Sequence, residues 1–429
     1  MADPVPQRDP GEPARAAVGI VGAGTMGAGI AQVALEAGER VILYDALPEA
    51  GGAARSRIAD GLARRLRHAS GATPGATAAS VAEVLSRLEI AADPETLATS
   101  ADLVIEAVVE DLATKRAMFA RLDGAAAAST ILASNTSALS IGAIAEAAER
   151  PGRVVGLHFF NPVPLMPLVE VVGAATSDPA AVDLAAARVT AWGKTAVRSA
   201  DTPGFIVNRV NRPFTLEALA ALEHGDGSVA SIDRAFRAAG YPMGPFELMD
   251  LVGIDVNLAA ARGIFEATQY EIRFRPSVIQ ERLVEAGRFG RKTGEGFYWY
   301  GEDGRSLGVA GAFASPPEPL VPLVPPDRTL SSGTSPADPP TDPTQVLERV
   351  ELTIVNEAWC ALGEAVATAT DIDLAMRLGA GHPLGPFERT AALGGPGAVL
   401  ARLERWSAAG ERFAPASALV AAAGQAAGR

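Results

Sequence analysis

Residues 16–45 read AAVGIVGAGTMGAGIAQVALEAGERVILYD, and this stretch decides the fold. Residues 16–21 are a short apolar strand. Gly22-x-Gly24-x-x-Gly27 comes next, then a helix-period run from Met26 to Ala37, a break at Gly38, and a second apolar strand ending on Asp45. Strand, glycine turn, helix and strand in that order make a βαβ unit of Rossmann type. Gly22 permits the tight turn, Gly24 lets a pyrophosphate approach the backbone, and Gly27 lets the helix pack on the strand. The first helical turn, Thr25 and Met26, offers unpaired amides to phosphate. Asp45, 23 residues after Gly22, can bond an adenosine ribose 2′-hydroxyl and repels a 2′-phosphate, so the expected cofactor is NAD rather than NADP.

The alternation continues outward. A helical stretch is expected over about 47–88, a strand over 103–109 ending at Glu110, a helix over 114–122, and a strand over 131–134 ending at Asn135-Thr-Ser137. Two extended runs, 154–160 and 168–172, are joined by a turn, NPVPLMP (161–167). This pattern predicts a doubly wound α/β sheet over residues 15–202. Residues 205–290 carry helix-period apolar positions and no convincing strand, so 203–300 are expected to form a separate all-helical domain. Residues 301–345, with runs such as SPPEP and PADPP, are expected to be a proline-rich linker, since proline lacks an amide donor.

An internal repeat organises the C-terminal part of the chain. GYPMGPFE at 240–247 returns as GHPLGPFE at 381–388, Ile232-Asp233 as Ile372-Asp373, and Arg273-Phe-Arg-Pro276 as Arg412-Phe-Ala-Pro415. The near-constant offset of 139 to 141 residues predicts a second all-helical domain over 346–429. That copy lacks the KTGEGFY of 292–298 and is degenerate.

Composition bounds the function. The chain has 429 residues, a net charge of −13 and one cysteine, Cys360. The acidic balance argues against nucleic acid as a partner. No apolar run approaches the ~18 residues of a membrane span. The first fourteen residues, polar and proline-rich, read as a disordered tail and not a signal peptide. A lone cysteine forms no internal disulfide, no metal-ligand cluster is evident, and a cytoplasmic location is expected. Among 37 basic residues only Lys115, Lys194 and Lys292 are lysine.

An NAD-binding unit raises the question of which hydride-transfer chemistry it serves. None of the five tyrosines has a lysine four residues later, and no lysine has an asparagine four residues later. A zinc-dependent site needs a Cys/His cluster that one cysteine does not supply. Histidine is left as the candidate base, and His158 stands out among four. It lies on the run before the proline-rich turn, and Glu170 lies on the run after it. If the two runs fold back on each other, the carboxylate meets the imidazole and fixes its tautomer. A histidine in an apolar strand is also commonly structural, and Asn135 and Ser137 are also ordinary turn formers.

Seven stretches resemble the L-3-hydroxyacyl-CoA dehydrogenase family, which includes the 3-hydroxybutyryl-CoA dehydrogenases: VGIVGAGTMGAGIAQ (18–32), ADLVIEAVVED (101–111), ASNTSALSI (133–141), GLHFFNPVPLMPLVEVV (156–172), DTPGFIVNRV (201–210), GPFELMDLVGID (244–255) and GRKTGEGFYWY (290–300). The resemblance implies NAD-dependent oxidation of an (S)-3-hydroxyacyl-CoA to the 3-oxoacyl-CoA, chemistry of fatty-acid β-oxidation. It implies His158 as base, Glu170 as its partner, and Ser137 and Asn208 hydrogen-bonding the substrate oxygens. Asn161 and Ser137 would border the nicotinamide, with Glu110, Lys115 and Lys292 on the cofactor side. Lys194 falls in a matching WGKTAV with no assigned role. The tandem helical domains would be repeats of the family's C-terminal domain, forming either a homodimer interface or an intramolecular pseudo-dimer. The family tends to place a small polar residue and a lysine at 61 and 68 against CoA. Here these are Gly61 and His68, with Arg64, Arg65 and Arg67 nearby as alternative phosphate ligands or an ordinary solvated face. The altered CoA face keeps open a dehydrogenase of free 3-hydroxy acids, and an NAD-binding protein without turnover is the remaining alternative.

Overall fold

The computed structural model describes residues 17–70, 74–313, 343–406 and 410–427. The expected N-terminal tail and residues 314–342 of the expected linker lie outside the described residues, as does the side chain of His68. The chain divides into two compact units, with the boundary between Ala196 and Val197.

In the first unit, β1 (Ala17–Val21) is buried throughout, as a central strand covered on both faces must be. The glycine turn feeds α1 (Thr25–Glu36), and β2 (Val41–Tyr44) returns parallel to β1. The stretch expected as one helix over 47–88 is α2 (Ala50–Ser70), α3 (Pro74–Leu85) and a three-residue edge strand, β3 (Leu88–Ile90). Proline cannot continue a helix but can open one, and Pro74 opens α3. Then come α4 (Pro94–Thr99), β4 (Ala101–Glu106), α5 (Leu112–Ala125), β5 (Ile131–Ser134), α6 (Ile141–Ala145), β6 (Val154–Phe159), β7 (Leu168–Gly173), α7 (Pro179–Ala191) and β8 (Thr195–Ala200). The sheet order is β3-β2-β1-β4-β5-β6-β7-β8. Strands β1 to β6 are parallel and β7 is antiparallel to β6. This is the doubly wound order, and its switch point between β1 and β4 places the glycine turn at the crevice where such sheets bind ligands.

The second unit is helical. The first copy comprises α8 (Val207–Val210), α9 (Arg212–His224), α10 (Val229–Ala238), α11 (Pro245–Val252), α12 (Ile254–Ala267) and α13 (Val278–Glu285). It closes with a hairpin, β9 (Tyr298–Tyr300) and β10 (Ser306–Val309). That hairpin corrects the expected linker at its start. Gly304, at φ +72°, makes the turn, the amide of buried Ala310 bonds the Phe297 carbonyl at 2.9 Å, and no proline interrupts residues 301–313.

The second copy is α14 (Pro343–Gly363), α15 (Ala369–Gly379), α16 (Pro386–Ala392), α17 (Pro396–Trp406) and α18 (Ser417–Ala427). Where Pro213 follows the break between α8 and α9, the second copy has Thr353 and α14 runs unbroken. The repeated motif has a physical basis. Asp233 accepts from the amides of Phe246 and Glu247 at 3.0 and 3.1 Å, and Asp373 from Phe387 and Glu388 at 2.8 and 3.1 Å. Each acid caps the helix that GPFE opens. Glycine precedes that proline because a Cβ at Gly244 or Gly385 would stand 2.1 or 2.3 Å from the capping carboxylate.

The copies meet reciprocally. Gly240 faces Pro383 and Gly381 faces Pro242. Glu217 is held by Arg349 and Arg412, at 3.0 and 2.9 Å, and Glu357 by Arg209 and Arg273, at 2.7 and 2.9 Å. Each of these residues has its repeat counterpart on the other side, and the Tyr241 and His382 rings meet with centroids 5.1 Å apart. Such i-to-j and j-to-i pairing is the signature of a two-fold interface.

Candidate active site

The glycine turn is built for a close-lying ligand. Gly22 sits at φ +103°, and a Cβ there would meet the Ala107 carbonyl oxygen at 2.5 Å. A Cβ at Gly27 would overlap the Gly22 carbonyl oxygen at 1.8 Å. A Cβ at Gly24 would meet nothing within 4 Å, so that side of the turn is open space. Helix α1, which carries Thr25 and Met26 in its first turn, has no side-chain cap and no acidic residue there, leaving its terminal dipole to an anion. Asp45 is drawn toward the turn, accepting from the Ala23 amide at 2.6 Å and the Leu47 amide at 2.9 Å. The Arg57 guanidinium holds the Ala23 carbonyl at 2.9 Å. A cradle without side chains, an open helix terminus and an acid at the tip of β2 fit an NAD molecule.

His158 and Glu170 are brought together as anticipated. They are direct cross-strand partners of β6 and β7, and Nδ1 lies 2.6 Å from Oε2. Both are buried, Glu170 completely. The register is set by close packing: a Cβ at Gly156 would stand 2.8 Å from Val172 and 2.9 Å from Ile141. The Phe160 ring packs tilted against His158, with centroids 4.5 Å apart and planes at 52°, and the Phe159 amide donates to Asn135 Oδ1 at 2.8 Å, tying the ends of β5 and β6.

Ser137 stands on a turn organised by Glu110. One carboxylate oxygen accepts from the Thr136 hydroxyl at 2.7 Å and from the amides of Ser137 and Ala138 at 2.9 and 3.2 Å. Burial works to raise the Glu110 pKa, but the Thr136 hydroxyl, the Lys115 charge and the Ser137 amide outweigh it and hold the carboxyl below its ordinary range. Lys115 is buried at the end of that network, 2.7 Å from Glu106 and 3.3 Å from Glu110. Glu106, fully buried at the end of β4, also accepts from Ser134 at 2.7 Å. Sequence reasoning passed over Glu106. The signal was an acid closing an apolar parallel strand, which needs a buried partner.

The proline-rich turn carrying Asn161 has an anchor that sequence reasoning left without a role. Lys194 is buried and donates to the Val163 and Met166 carbonyls at 2.6 and 2.8 Å. Desolvation, and then the nearby Arg65 charge, lower its pKa. Beside this turn is a cleft of about 810 Å³ that gathers Thr25, Arg64, Arg65 and Asn161. Arg65 is tied to Glu36 at 2.8 Å. Gly61 lies in the same wall, where a Cβ would stand 2.2 Å from Gln32 Oε1; any larger residue there has to displace Gln32.

In the helical unit, Asn208 lies on α8 and Lys292 in the turn before the hairpin. Lys292 pairs with Asp255 of α12 at 2.6 Å and lies over the Phe289 ring. Among the described residues no helix is long and apolar enough to cross a membrane.

A doubly wound sheet with an NAD cradle and a carboxylate-held histidine defines an NAD-dependent dehydrogenase. Residues 17–202 match the NAD-binding domain of 3-hydroxyacyl-CoA dehydrogenase, and residues 204–300 and 346–424 match its C-terminal domain. The chain belongs to the 3-hydroxyacyl-CoA dehydrogenase family, whose reaction is the NAD-dependent oxidation of 3-hydroxyacyl-CoA. It is 39% identical to the 3-hydroxyadipyl-CoA dehydrogenase of Escherichia coli, over 88% of this chain and 90% of that one. It is 43% identical to the mitochondrial hydroxyacyl-coenzyme A dehydrogenase of Sus scrofa, over 66% and 90% of the two chains. A crystal structure of an E. coli 3-hydroxybutyryl-CoA dehydrogenase covers 96% of this chain and 99% of its own, with a TM-score of 0.79 and 35% identity.

Proposed function

We propose that the chain oxidises an (S)-3-hydroxyacyl-CoA to the 3-oxoacyl-CoA with His158 as base, Glu170 as its orienting partner, and Ser137 and Asn208 as hydrogen-bonding partners of the substrate oxygens. The observation that carries this is the His158–Glu170 contact at 2.6 Å. With Nδ1 committed to the carboxylate, Nε2 is the atom that takes the 3-hydroxyl proton, and Glu170 stabilises the imidazolium that results. Bound NAD supplies the hydride acceptor for C3. Glu110, by fixing the 136–138 turn, positions the Ser137 hydroxyl, and Lys115 and Lys292 serve the cofactor side through the carboxylates they hold. Arg64, Arg65 and His68 are assigned to the CoA side, where the cleft beside Asn161 offers room for an anionic group. The reciprocal helical copies act as the dimer interface of a single-copy relative would, within one chain. A cytoplasmic location is part of this reading.

A panel of 3-oxoacyl-CoAs and free 3-oxo acids with NADH, followed by absorbance, tests it. Turnover of the thioesters, with kcat/KM far above the free acids, is expected. Preference for free acids, or no turnover, overturns the reading.

A further inference from the structure

Arg212, the first residue of α9, is 6% exposed. Its Nε is buried without a hydrogen-bond partner. Among the described residues no carboxylate pairs with its guanidinium, although Arg209, Arg273, Arg349 and Arg412 of the same unit each hold a buried glutamate. Burial alone pushes the Arg212 guanidinium down to about 10, which leaves it a cation at neutral pH. A cation in the first turn of a helix also opposes the helix dipole. Two costs therefore stand at this position, and an anion from outside the chain would relieve both.

The fold does not call for a cation there. The repeat counterpart of Arg212 is Leu352, 1% exposed, packed in the apolar cluster of the second copy with Val355 and Phe413. Asn208 likewise has no counterpart, since Glu348 occupies its repeat position. The second copy thus keeps the paired arginines of the interface and loses both Asn208 and Arg212. Those two residues are four apart, one turn or about 6 Å along the helical path. In the proposed mechanism Asn208 meets an oxygen beside the reacting C3. The carboxylate oxygens at the end of a six-carbon acyl chain lie about 5 Å beyond C3, three C–C bonds of about 1.5 Å and one C–O bond of about 1.2 Å along a zigzag, close to the pitch of one helical turn, about 5.4 Å. The other anions of the reaction are placed elsewhere. The phosphates of CoA lie beyond the pantetheine arm, on the thioester side of C3, and the dinucleotide phosphates have their seat at α1.

We propose that Arg212 receives the terminal carboxylate of the acyl chain, so that the preferred substrate class is the CoA thioester of a 3-hydroxy dicarboxylic acid. The inference rests on the placement of Asn208 given under Proposed function.

The test compares kcat/KM of the full chain, with NAD, on 3-hydroxyadipyl-CoA and 3-hydroxyhexanoyl-CoA, which differ only in carboxylate against methyl at C6. A charge-assisted pair predicts a preference of about 10- to 100-fold for the dicarboxylyl substrate. Arg212→Leu is expected to collapse that ratio, and Arg212→Lys to retain part of it. Equal kcat/KM for the two substrates in the unaltered chain overturns the inference whether or not the variants fold. So does an Arg212→Leu chain that keeps the preference. Oxidation of neither thioester would instead overturn the underlying reading, and the inference with it.

Discussion

His158 and Glu170 are opposite members of one cross-strand pair, and their contact at 2.6 Å is completely shielded on the carboxylate side. A strand pair holds its two side chains about 4.5–5.5 Å apart at Cβ, so the backbone, rather than side-chain search, presents the acid to the ring. Glu170→Gln keeps the shape and removes the charge. We expect kcat to fall by about 10²- to 10⁴-fold with KM for NAD within a few-fold, and His158→Ala to fall at least as far. Steady-state NADH formation measures both, and near-normal turnover by the His158→Ala chain would sink the mechanism.

Lys194 gives the second prediction. Replacing it with methionine keeps the buried stem and leaves the Val163 and Met166 carbonyls without their donor. Leaving the buried Val163 carbonyl unsatisfied costs about 1–3 kcal/mol, and the part-buried Met166 carbonyl costs less. Thermal stability should fall, and amide exchange over residues 161–167 should rise relative to β6. Unchanged exchange in that turn would show that its order comes from elsewhere.

Legibility in the sequence depended on what each residue needs locally. The glycine turn and Asp45 were readable because their conformational demands are written in adjacent residues. His158 and Glu170 were readable because one turn joins two short runs, so that a pair twelve residues apart becomes a strand pair. Lys194 and Glu106 were not, because their partners are backbone carbonyls and a buried lysine that only the folded sheet brings near. The second arm of the hairpin falls inside the expected linker because SLGV, at 306–309, is too short and glycine-bearing to read as a strand beside the proline-rich run that begins at Pro316. The degenerate copy is intelligible in the same terms. Asp250, fully buried, accepts from the Phe297 and Tyr298 amides at 3.0 and 2.9 Å; the second copy lacks that segment and has Ala391 in its place.

The reciprocal interface predicts non-additive energetics. Glu217→Gln leaves Arg412 without its carboxylate and Arg349 with Asp226 alone, and should destabilise the helical unit by about 3 kcal/mol. Arg349→Met should cost a similar amount. The double change should cost clearly less than the sum, because the Arg349–Glu217 interaction is lost in either single change and can be lost only once. Urea unfolding of the four chains closes this cycle, and simple additivity would deny that the pair acts as a unit.

His382 predicts a pH dependence. Desolvation, followed by the charge of Arg389, pushes its pKa down to about 3, and its Nε2 lies 2.8 Å from Asn211 Oδ1. The folded chain therefore keeps a neutral imidazole where the unfolded chain, near 6.5, takes up a proton. Stability rises with pH wherever the unfolded state binds more protons. The contribution is thus complete above about pH 6.5 and is lost as pH falls toward 3, at ~1.4 kcal/mol per unit, or about 2 kcal/mol by pH 5. His382→Phe should lie in the same ring cluster with Phe214 and Tyr241, lose the bond to Asn211 equally at every pH, and remove this part of the acid limb. Urea midpoints at pH 7.5 and pH 5 decide it: the gap between the two should narrow in the variant, and an unchanged gap would mean that His382 is already protonated in the folded chain or remains unprotonated in the unfolded one.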